Sequence, residues 1–250
     1  VNAATTVEAI KLRRSPVGAI ATAALVCGTL ALLGGITAAV AGGDPVMIAK
    51  AGPAASLDWD GLLAGAGQVS SAAGMLGFGT VLAWMFAREF SDGTVTGMFA
   101  LPVTRGRIAL AKLTVYAAWV FTVSVVLALG LLGLGLALGY GTPDGATWAG
   151  LGRQGILGVL TGATAAPVAL GATLSRSLLA GVASAIALVI AAQVGTLAGA
   201  GGWMPLAAPA LWAASGGAVV SAGQLALTLT LAASTALATW WTWSHLTLSR

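Results

Sequence analysis

Uncharged, apolar runs of about twenty residues or more recur six times along the chain, and a helix needs about twenty such residues to cross the hydrocarbon core of a bilayer. That recurrence constrains the chain more than any single motif. Only 7% of the 250 residues are charged, too little polar surface to cover a water-soluble globule of this size, so lipid must be the main solvent. The expected fold is all-α: a polytopic membrane protein of six transmembrane helices in a single domain spanning residues 1–250.

The runs place the spans at about 16–43, 61–87, 113–138, 155–174, 178–200 and 217–241. Residues 1–15 carry Glu8, Lys11, Arg13 and Arg14 beside a thin apolar stripe, which predicts a short helix lying on the membrane surface. Ser15-Pro16 is an N-cap and first-turn pair for span one. Ala39-Val40-Ala41 resembles a signal cleavage site, but more than 20 apolar residues exceed a signal core of roughly 7 to 15, so span one is expected to stay. Asp44 to Asp60 is a polar loop, and 202–216, with Pro205, Pro209 and Trp212, is apolar but Pro-broken, an interfacial or re-entrant segment.

Cytoplasmic loops carry the excess of Lys and Arg. Lys11, Arg13, Arg14, Arg88, Arg105, Arg107, Lys112, Arg176 and Arg250 fall on one side of the predicted bundle, and only Lys50 and Arg153 of the 11 basic residues on the other. Both termini are therefore expected in the cytoplasm. Tryptophans fall at both predicted interfaces, Trp59, Trp148, Trp203 and Trp212 outside and Trp84, Trp240, Trp241 and Trp243 inside, as aromatic belts require.

The predicted spans hold no acid, base or ion pair near their centres, which argues against proton-coupled transport and buried-base proteolysis. Gln68, Gln193 and Gln224 are the strongest polar groups within them. They either line a substrate path or hydrogen-bond a neighbouring helix. Cys27 and His245 are the only residues of their types, so neither an intramolecular disulfide nor a Cys/His zinc site can be built. A nucleic-acid partner is not expected, because the cations sit at helix ends and not on one soluble face.

The longest charged loop is 88–112. Ser91 or Asp92 can cap a short helix with Val95, Met98 and Phe99 on its apolar face, Pro102 stops it, and Thr104 restarts a helix. In this loop the sequence resembles the ABC type 2 permease family, membrane subunits of bacterial exporters for drugs, antibiotics, peptides, lipids and polysaccharides. Glu89, Gly93-Thr94, Phe99 and Leu101, Pro102, Thr104-Arg105 and Lys112 occupy the places where members carry an acid, a Gly-Thr, an apolar pair, Pro, a hydroxyl residue with Arg, and a Lys entering span three. Gly97 and Gly106 depart from the pattern where better helix formers are expected. The Glu-Ala-Ala signature of importer permeases is absent at Glu89-Phe90-Ser91.

The resemblance implies a coupling helix between spans two and three that docks on a separate ABC ATP-binding subunit, with Glu89, Asp92, Gly93, Thr94, Phe99, Pro102, Arg105 and Lys112 in that role. It also implies a second permease copy or paralogue as partner, ATP and Mg2+ held by the partner ATPase and not by this chain, and a bacterial plasma-membrane location. No Walker A pattern occurs, so the chain is not itself expected to hydrolyse ATP. The alternative is a membrane scaffold whose basic loop binds anionic lipid or protein without an ATP-driven cycle.

Overall fold

A computed structural model describes residues 2–100 and 102–247; Val1, Leu101, Arg250 and the Met98 side chain lie outside the described residues. The helices are α1 (Asn2–Arg13), α2 (Pro16–Ala41), α3 (Pro45–Ala51), α4 (Trp59–Ser91), α5 (Arg105–Ala137), α6 (Gly145–Ser175), α7 (Leu178–Leu197), α8 (Ala208–Ala214) and α9 (Ala222–Ser244). Six of them, α2, α4, α5, α6, α7 and α9, are long and apolar enough to cross a membrane.

Short polar side chains start most of these helices by accepting the amide protons that no intrahelical carbonyl can take. Ser15 accepts from the Gly18 amide at 2.9 Å, Asp58 from Gly61 at 2.9 Å and Asp144 from Thr147 at 2.8 Å. These bonds hold the Asp58 and Asp144 carboxyls below the usual aspartate range. Asp44 caps α3 in the same way, a helix within what the sequence presents as a polar loop.

The core is built on α4 and α6. In the most apolar stretches of these two helices, 56% and 61% of residues are buried, against 11% in α7 and α9 and 22% in α2. Leu82, Phe86, Leu131, Leu157 and Val168 have no access to solvent, whereas Leu179 and Leu197 on α7 are 80% and 87% exposed. An apolar surface of that kind needs lipid or another subunit to cover it. Gly158 and Gly162 back onto Ser124 and Val120 of α5, the close helix approach a GxxxG pair permits. α6 breaks near Ala165, ahead of Pro167, and there the Tyr116 hydroxyl donates to the Gly162 carbonyl at 2.9 Å.

Several boundaries differ from the sequence expectation. The 88–112 loop contracts to 92–104, because α4 continues to Ser91 and α5 starts at Arg105. Charges that mark a loop in sequence stay on helices here, since partners neutralise them. Asp92 ends α4 instead of starting a new helix, its amide bonding the Arg88 carbonyl at 2.8 Å, and Gly93, at φ +67°, turns the chain in a conformation that favours glycine. The expected short coupling helix is a single 3-10 turn, Gly97–Ala100.

α9 begins at Ala222, where Ser221 and Gln224 form a reciprocal capping box. Gln224 is thus a first-turn residue and not an interior one. Arg153, expected in a loop before a span starting near Gly155, lies eight residues into α6. Trp243, assigned to an interfacial belt, is fully buried. Residues 202–216 form a short turn and α8 and do not cross the bundle.

Candidate functional site

One end of the bundle collects most of the described basic residues and carries the 92–104 loop. It is called the basic end here. There α1, the last turn of α4 and the second turn of α5 meet around four charges. Lys112 Nζ reaches Glu8 Oε2 at 2.8 Å and Glu89 Oε1 at 3.0 Å, while Lys11 Nζ reaches Glu8 Oε1 at 2.9 Å and Glu89 Oε1 at 2.8 Å. Two carboxylates and two ammonium groups thus alternate in a closed, formally neutral ring.

Glu8, Glu89 and Lys112 are only 4%, 3% and 1% exposed, so their charges depend on one another in place of water. Lys112 Nζ also lies 5.8 Å from the centroid of the Trp243 ring, which brings α9 into the cluster. Trp243 in turn donates its indole N–H to Thr173 at 3.0 Å and packs edge-on against Phe86. At Lys11, burial lowers the ammonium pKa, but hydrogen bonds and attraction from Glu89 and Glu8 outweigh it and hold the pKa above the ordinary lysine value.

Glu89 also anchors the loop. The Thr94 hydroxyl donates to Glu89 Oε2, and the Val95 amide donates to the Glu89 backbone carbonyl at 2.9 Å. At the far end of the loop, Arg105 stacks over the Phe99 ring at 4.4 Å and donates to the Leu246 carbonyl. Gly106 fits where any side chain would collide with Ser244 and Trp240 of α9, which accounts for the departure from a better helix former.

The eight residues singled out in the loop therefore divide by environment. Asp92, Gly93, Thr94, Phe99 and Pro102 are exposed and form a surface. Glu89 and Lys112 lie beneath it, with Arg105 half-buried at its edge. Glu8 and Lys11, which complete the ring, were not among the sequence candidates. Their signal was the Glu8-x-x-Lys11 spacing, which puts an acid and a base on one face of α1, but nothing local says that this face turns toward Glu89.

A cavity of about 700 Å³ lies toward the opposite end, bounded by α4, α6, α7 and α8. Gln68 and Gln193 both line it, together with Asp60, Ser71, Arg153 and Gln154. Gln224 does not, since its side-chain carbonyl accepts from the Ser221 amide at 2.8 Å. Gln154, the buried amide that sequence inspection passed over, donates to Ser70 at 2.6 Å and ties α6 to α4.

A family model described as "ABC-2 family transporter protein" matches residues 5–193. No curated protein and no solved structure matches the chain significantly. The matched stretch runs from α1 through most of α7 and contains all four members of the charge ring as well as the 92–104 loop.

Proposed function

Because the chain belongs to the ABC-2 transporter family, matched over residues 5–193, we propose that it is the membrane-spanning permease of an ATP-driven exporter. Its basic end faces the cytoplasm and docks a separate ATP-binding subunit, which holds ATP and Mg2+. The exposed residues Asp92, Gly93, Thr94, Phe99 and Pro102 form the docking surface, and a second permease copy or paralogue covers part of the exposed apolar helices. The cavity lined by Gln68 and Gln193 belongs to the path of an amphipathic or lipid-like cargo.

The observation that carries this reading is the position of Glu89. One oxygen of its carboxylate receives Lys11 and Lys112, and the other receives Thr94 of the loop. A displacement of the loop by its partner therefore acts at once on α1, α4 and α5, and through Trp243 on α9. Buried, fully paired clusters have discrete arrangements and are not continuously deformable, so the ring suits a two-state element whose balance is set by the nucleotide state of the partner.

The test reads coupling without knowledge of the cargo. In a Cys27→Ala background, Gln193→Cys reports cavity access by maleimide labelling in proteoliposomes containing the assembled complex. ATP should change its labelling rate several-fold. Adding Thr94→Val or Arg105→Ala should leave ATP turnover in place and abolish that change. An unchanged ATP response in both loop variants would refute the coupling role. A scaffold without an ATP-driven cycle would show no ATP response in the parent protein either.

A further inference from the structure

Arg153 is the one arginine among the described residues that is remote from the basic end, and it lies within α6, a helix long and apolar enough to cross a membrane. An ionisable side chain there is costly unless it serves a ligand or finds a partner, and Arg153 makes no hydrogen bond or ion pair among the described residues. Its surroundings are the cavity, which it lines with Asp60, Gln68 and Gln193.

The depth of each charge can be read from helix register. α4 and α6 both start at this end, and Gly150 backs onto Leu63 while Gln154 donates to Ser70. These contacts put Arg153 about level with Gly67, seven residues beyond Asp60, or roughly 10 Å deeper at the helical rise of about 1.5 Å per residue. Gln68 shares the level of Arg153, and Gln193, four residues before the end of α7, faces the same space. Beyond them, toward the bundle centre, Met75 lines the cavity. From mouth to floor the order is carboxylate, then guanidinium with amides, then thioether.

We propose that this cavity binds a zwitterionic amphiphile whose anionic group lies between a terminal ammonium and an apolar tail, as in a phosphocholine or phosphoethanolamine lipid. The ammonium meets Asp60, the phosphodiester meets Arg153 with Gln68 and Gln193 donating alongside, and the start of the tail lies against Met75. Guanidinium pairs with phosphate oxygens through two parallel N–H donors, and the cavity of about 700 Å³ falls within the usual range for a ligand pocket. Treating this ligand as cargo rests on the export reading; its binding does not.

The experiment uses native mass spectrometry of the full chain in a non-ionic maltoside, with each amphiphile added below its micellar concentration. Dodecylphosphocholine has the required order of charges. Dodecyl sulfobetaine has the same tail and both charges in reverse, and glycerophosphocholine has the head without the tail. The protein should bind dodecylphosphocholine at least tenfold more tightly than either. Arg153→Gln should remove that preference and Arg153→Lys keep part of it. Asp60→Asn, at an exposed position, should narrow the margin over an anionic dodecyl phosphate.

Equal binding of the phosphocholine and sulfobetaine amphiphiles, or equal binding by Arg153→Gln, would overturn the site. Glycerophosphocholine binding as tightly as dodecylphosphocholine would overturn the amphiphile assignment, leaving a free phosphodiester as the ligand. No ATPase is present, so failure here leaves the coupling role of the loop standing, and failure of coupling leaves this binding site standing.

Discussion

At the scale of single residues the charge ring is the most consequential feature. Removing one partner from a buried, paired cluster strands the opposite charge and costs about 3–5 kcal/mol. Lys112→Met should therefore lower the thermal unfolding midpoint of the detergent-purified protein sharply, and so should Glu8→Ala. The double variant should lose much less than the sum of the two, because its members share one interaction. Additive losses would mean that the ring does not act as a unit. The Arg88–Asp92 pair, at 3.1 Å but 36% and 49% exposed, supplies the contrast: Asp92→Asn should shift stability by less than about 1 kcal/mol. The N-cap aspartates Asp58 and Asp144 give a pH dependence. Their pKa values are depressed in the folded chain, so their contribution is complete above about pH 4 and is lost as pH falls through the folded values. Asp58→Asn with Asp144→Asn should flatten the decline in unfolding temperature between pH 5 and 3, and an unaltered acid limb would contradict the capping assignment.

At the scale of elements, the close crossing of α5 and α9 depends on Gly106, where an added side chain meets Ser244 and Trp240. Gly106→Leu should part the two helices, expose Trp243 and red-shift its fluorescence; an unshifted spectrum would mean that the crossing tolerates the bulk. Apolar run length and turn residues made the six spans readable from sequence, and Ser15-Pro16 marks the start of α2 to the residue. The loop was harder to delimit. Charges on Arg88, Glu89 and Lys112 look like a break in the apolar pattern, but on the folded chain they are helix ends, Arg88 paired with Asp92 and the other two with each other and with α1. A one-dimensional pattern carries run length; it does not carry which distant acid will sit 2.8 Å from a given lysine. For the same reason Gln224 looked interior and is a cap, and Arg153 looked like a loop residue and lines a cavity.

At the scale of the whole molecule, the buried α4 and α6 form a frame against which α2, α7 and α9 present exposed apolar faces. The proposed transport unit places the ATP-binding partner at the basic end, the cargo cavity toward the other, and the charge ring between loop and bundle. Orientation follows from the same account. In a Cys27→Ala background, Thr96→Cys should react with an impermeant maleimide only from the cytoplasmic side of the membrane and Ala146→Cys only from outside, the reverse pattern being fatal to the proposed docking. The proposed docking of a soluble ATPase on loop 92–104 stands or falls on purification from the native membrane in a mild detergent, with mass spectrometry of what accompanies the chain. An ATP-binding subunit should co-purify and be lost when residues 92–104 are replaced by a Gly/Ser segment of equal length. Co-purification of lipid and unrelated membrane proteins alone, under conditions that keep other ABC complexes intact, would contradict it.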